Sequence, residues 1–112
     1  MSDNKKPEKP LESPEFAVSV IPKDKTNPDH QKTAENVQKK LKENVKRAID
    51  ENKSGGKTKQ FEAAEKEIKK AGQGTDPVKI DKIKIHVAGK DEDGDLAERK
   101  LSVTPKEDKK TS

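Results

Sequence analysis

"KIKIHVAGKDEDGDLAERKLSVT", residues 82–104, sets Ile83, Ile85 and Val87 two apart, breaks into a knot of four acids around Gly94, and resumes with Ala97, Leu101 and Val103. Side chains two apart share one face of an extended strand, whereas an apolar helix stripe repeats at three and four. Two such runs this close in sequence predict an antiparallel β-hairpin. The knot between them has a second reading, as an EF-hand calcium loop. That loop needs oxygen ligands at positions 1, 3 and 5, glycine at 6 and glutamate at 12. With Gly94 at position 6, Asp91 and Asp93 fall at 3 and 5, but Gly89 stands at 1 and Lys100 at 12. The flanks are also strand-like where the motif requires helices. Glycine and aspartate suit the dihedrals and local hydrogen bonds of a turn equally well. We therefore expect a turn, with no metal and no cofactor.

Working outward, Val78 and Ile80 have the opposite parity to Ile83, Ile85 and Val87. A bulge near Asp81-Lys82 would bring all five inward. Before them the period changes to that of helices. In "NPDHQKTAENVQKKLKENVKRAIDENKSGG", Asn27 is an N-cap candidate, Pro28 suits the first helical position, and Gly55 and Gly56 mark the end. Ala34, Val37, Leu41, Val45 and Ala48 or Ile49 form one stripe, flanked by the i,i+4 pairs Glu35/Lys39 and Glu43/Arg47. A second helix is expected from Thr58 as N-cap to Ala71, stopped by Gly72, with Phe61, Ala64, Ile68 and Ala71 as a narrow stripe. Nearest the N-terminus, "EFAVSVIP" spaces Phe16, Val18 and Val20 as a short strand ending at Pro22.

Composition limits how much these elements can bury. Leu, Ile, Val and Phe make up 19 of 112 residues, about 17%, below the roughly 20% under which chains tend to disorder. The 26 basic and 22 acidic residues nearly cancel, leaving a net charge of +4 and a mixed polyampholyte. Residues 1–14 carry three prolines and alternating charges, so they are expected to be a disordered tail, as are residues 105–112. Residues 15–104 then form one small α+β domain: strand, helix, helix, β-hairpin. With no cysteine, disulfides, thiol nucleophiles and thiolate metal sites are excluded. The charged N-terminus has no apolar signal region and no run approaches a membrane span, so a cytoplasmic protein without a membrane partner is expected.

Few residues suggest catalysis. His30 and His86 are far apart in sequence, neither lies in a nucleophile motif, and this apolar inventory can hardly build a cleft that tunes carboxylates. We expect no enzyme. "SGGKTK" resembles the end of a phosphate-binding loop, but Glu51 stands where the first glycine belongs and a helix precedes it instead of a strand. A phosphate beside Lys57 and Lys59 at the second helix's start remains chemically available. Ser13-Pro14 and Thr104-Pro105 read first as loop signals and second as phosphorylation sites.

The leading expectation is a non-catalytic interaction or accessory protein, of a kind that suits a microbe or phage. It would bind a protein partner, or a second copy of itself, through its amphipathic helix or a sheet edge, with Val37, Leu41, Val45, Phe61 and Ile68 as contacts. The alternative is a nonspecific nucleic-acid-binding accessory protein that meets phosphates with Lys39, Lys40, Lys46, Arg47, Lys57 and Lys59. Residues 29–90 carry 16 basic against 10 acidic side chains, which favours such contacts. The absence of Tyr and Trp removes a base-stacking platform.

Overall fold

Alternation in the apolar pattern becomes a three-stranded antiparallel sheet in the computed structural model, which describes residues 9–91 and 93–105. The strands are β1 (Glu12–Pro22), β2 (Ile80–Lys90) and β3 (Leu96–Val103), in the order β1-β2-β3. Two helices, α1 (Pro28–Glu51) and α2 (Gly56–Gly74), connect β1 to β2, with a short 3-10 turn at Lys53–Gly55 between them. The chain is thus the small α+β domain read from its pattern. The expected tails at residues 1–8 and 106–112 lie outside the described residues.

The helices cover one face of the sheet. Val18, Val20, Ile80, Ile83, Ile85 and Val87 are buried beneath Ala34, Leu41, Val45 and Ile49 of α1 and Phe61, Ala64 and Ile68 of α2. Ala97, Leu101 and Val103 of β3 pack at the margin of this core. Ile80 keeps its inward direction through a register shift: Ile21 pairs with Lys82 but Pro22 pairs with Ile80, which leaves Asp81 as the extra residue. Val78 does not follow. It sits in the turn before β2 and is 62% exposed, because the bulge corrects only the strand that is paired.

Local chemistry sets the helix ends. The Asn27 carboxamide accepts from the N–H groups of Asp29 and His30, at 2.8 and 3.3 Å, and Pro28 follows. At the other end Asn52 donates its side-chain amide to the Ala48 carbonyl at 2.8 Å. Two boundaries of α2 differ from expectation. Its N-cap position is Gly55 instead of Thr58. It also runs through Gly72, which is not a stop: a Cβ there would come within 3.0 Å of Val103 Cγ2, so glycine permits α2 to approach β3 closely.

The largest departure is at the N-terminus, where Lys9 to Pro14 belong to the fold and not to a tail. Leu11 is only 3% exposed. Its N–H donates to Gln60 Oε1 at 2.9 Å, and the Lys57 N–H donates to the Lys9 carbonyl at 3.0 Å. Gln60, fully buried on α2, also donates Nε2 to the Ile49 carbonyl at 2.9 Å, so one side chain ties this N-terminal strap to both helices. The strap crosses Gly89 with no room for a side chain, since a Cβ there would lie 3.2 Å from Leu11 Cβ and 3.3 Å from Pro14 Cα. Ser13 and Pro14 together face that single glycine, and Ser13 takes a positive φ of 46°. The Ser13-Pro14 signal is therefore a β-bulge inside the sheet. The open edge of β1 is partly closed as well, because the Val20 N–H donates to Gln38 Oε1 of α1 at 3.3 Å.

Candidate functional site

The acidic knot closes as a hairpin turn. Asp91 accepts two backbone N–H groups on Oδ1, from Asp93 at 2.9 Å and Asp95 at 3.0 Å, while Gly94 takes a φ of 84°. Asp91 Oδ2 meets Lys57 Nζ at 3.0 Å. The Lys57 hydrogen bond, joined by the two backbone donors, holds the Asp91 carboxyl below its ordinary range. Its contribution is therefore present at neutral pH and lost as the pH falls through that lowered value. The carboxylates of Asp91, Asp93 and Asp95 do converge within 4.8 Å. Both oxygens of Asp91 are nevertheless committed to the fold, and the flanks are strands β2 and β3. Calorimetric titration with calcium is expected to show no 1:1 event of micromolar affinity, and such an event would prove this assignment of the loop wrong.

In the glycine-lysine stretch Lys57 is engaged by the chain itself. Its N–H is bonded to Lys9 and its ammonium to Asp91. The two histidines sit on separate elements. His30 Nδ1 accepts from the Asp24 N–H at 3.2 Å, and His86 Nε2 contacts Glu98 Oε1 at 2.7 Å on the sheet.

Of the five apolar residues expected to meet a partner, Leu41, Val45, Phe61 and Ile68 are buried in the core of this chain. Their stripe is spent on the sheet, and Arg99 of β3 further covers Phe61, with its guanidinium carbon 5.0 Å from the ring centre. Val37 is only half-buried. With Leu41 and Ala71 it floors a groove of about 440 Å3 between α1 and α2, rimmed by Asn36, Lys40, Asn44 and Lys70. A second depression of about 340 Å3, which shares Asn44 and Glu67 with the first, is bordered by Arg47, Glu51, Lys59 and Glu62.

The six expected phosphate contacts fall on more than one surface. Lys39 and Lys46 are exposed on α1, Lys40 stands on the groove, Arg47 and Lys59 border the second depression, and Lys57 is paired with Asp91. Sequence reasoning missed a different cationic surface, the uncovered face of the sheet. Its parity signal was present in Lys82, Lys84 and His86, opposite to Ile83, Ile85 and Val87, but its neighbours across the sheet follow only from strand order. Among the described residues no helix is long and apolar enough to cross a membrane. No known protein family, curated protein or solved structure matches this chain.

Proposed function

We propose that this protein is a non-catalytic interaction protein that seats an amphipathic helix of a partner protein in the groove between α1 and α2. The observation that carries this reading is the apolar floor of Val37, Leu41 and Ala71 between α1 and α2, with a second, more polar depression adjoining it at Asn44 and Glu67. From Val37 to Glu51 the two follow about four turns of α1, or roughly 21 Å, a length suited to a helix of about 14 residues. Helices laid in grooves present anchors at i, i+3, i+4 and i+7, and the half-buried Val37 and Ala71 offer such anchors a surface. The walls carry both signs of charge, Lys40, Lys70 and Glu67 beside the apolar floor and Arg47, Lys59, Lys66, Glu51 and Glu62 beyond it, which suits the mixed polar flanks of an amphipathic helix.

Site-specific photo-crosslinking in the native host tests this. A crosslinking residue at Asn44 or Lys70, inside the groove, is expected to give one discrete adduct. The same residue at exposed Lys42, outside the groove, should not, and Ala71→Arg should abolish the adduct. Equal labelling from Lys42, or an adduct that persists with Ala71→Arg, would move the binding surface elsewhere.

A further inference from the structure

The opposite side of the molecule has a different chemistry. On the face of the sheet that no helix covers, register brings Ala17 of β1 and Lys100 of β3 beside His86 of β2, and Ser19 and Ser102 beside Lys84. Lys82 follows along β2, across from Ile21. Within this block every polar side chain is a cation, a hydroxyl or an imidazole, and none is an acid. The short side chains of Ala17, Ser19 and Ser102 leave a depression of about 330 Å3 between Lys84 and Lys100, with Ile85 and Leu101 also in its lining. Among the described residues Lys82, Lys84 and Lys100 have no ion-pair partner. The block ends at the next row, where Glu15 and Glu98 flank Ala88 and Glu98 contacts His86.

We propose that this block binds the phosphate backbone of double-stranded nucleic acid through Lys82, Lys84 and Lys100, with the hydroxyls of Ser19 and Ser102 as additional donors. Phosphate recognition needs only charge and hydrogen-bond donors, which is what the block holds. A protein partner would need a large exposed apolar anchor, whereas Ile21 beside Lys82 is only partly exposed and the two large apolar side chains that are exposed, Val78 and Leu96, lie outside these rows, Leu96 opposite Lys90. Both aromatic residues lie on the covered side of the sheet, Phe61 buried and Phe16 packed against the core, so single-stranded bases find no ring to stack on. Charge alone then decides the ligand, and the duplex presents the greater charge density.

Three lysine–phosphate contacts give a slope of log affinity against log salt of about −2.7, or a loss of about 40-fold between about 50 and 200 mM salt. Fluorescence anisotropy with a short mixed-sequence DNA duplex, its single strand and an acidic peptide, all on the full chain, tests the assignment. Wild-type protein should bind the duplex best, with that slope and no preference between sequences. The exposed double variant Lys84→Glu/Lys100→Glu should melt like wild type, bind the duplex about tenfold or more weakly, and show a slope nearer −1. Lys39→Glu/Lys40→Glu on α1 should stay within about twofold of wild type, since one phosphate contact at most would change. No duplex binding at low salt, equal binding by the sheet variant, or tighter binding of the single strand or the acidic peptide would each overturn the proposal.

Discussion

Leu41→Glu is expected to abolish the cooperative thermal transition of this protein, whereas Lys40→Glu, one residue earlier, should leave it within about 0.5 kcal/mol of wild type. Leu41 is 2% exposed and Lys40 is exposed, so adjacent positions on α1 separate core from solvent. Removing the side chain beyond Cβ at a site like Leu41 typically costs about 2 to 5 kcal/mol, and a small domain holds only about 5 to 15. Glutamate adds the cost of burying a charge in a cluster made of Val45, Ala34, Ile68 and other apolar side chains. Circular dichroism melting of the two variants checks this. A Leu41→Glu protein that melts at the wild-type temperature would place α1's stripe in solvent and invalidate the packing of helix on sheet.

The elements that could be read from residue order share one property: their signal lies within a single segment. The stripe Ala34, Leu41, Val45, Ile49 and the alternation Ile83, Ile85, Val87 each announce the face they bury, and the parity change at Asp81 announces a bulge. The strap at Lys9–Pro14 has no such period. Leu11 is a lone apolar residue among prolines and charges, and its burial depends on Gln60, 49 residues away, and on the space above Gly89. Gln60 itself was detectable, since it stands four residues before Ala64 and eight before Ile68 and so lies on the apolar stripe of α2. Thr58 and Gly72 misled because cap and stop signals are local preferences, which the contacts of Lys57 with the strap and of Gly72 with β3 override.

The same distinction applies to the two candidate surfaces. That Val37 and Ala71 share a groove requires α1 and α2 to pack antiparallel, and that Lys84 stands between Ser19 and Ser102 requires the strand order β1-β2-β3. Because the helices cover only one face of the sheet, the groove and the lysine block point in opposite directions. A partner helix in one would leave the other open, so the two proposals together describe an adaptor that bridges a protein and a duplex, and each can fail without the other.

Replacing Gln60 should have the second largest effect on stability, with a signature in pH. Gln60→Leu keeps the volume but leaves the Leu11 N–H and the Ile49 carbonyl without their partner. Each buried group left unsatisfied costs about 1 to 3 kcal/mol, so a loss of about 2 to 6 kcal/mol is expected, together with faster hydrogen exchange at the Leu11 amide. Gln60→Glu isolates the electrostatic part. As a neutral acid, glutamate can still accept from Leu11 and donate to Ile49; ionised, it faces the Ile49 carbonyl oxygen with a buried charge. Burial and that repulsion both raise its folded pKa above the unfolded value of about 4.3. The sign follows: stability is fully present below the unfolded pKa and is lost as the pH rises through the folded one. The Gln60→Glu protein should melt close to wild type near about pH 4 and furthest below it at neutral pH. A deficit that does not change with pH would show that position 60 is solvated and that the strap is held by Leu11 alone.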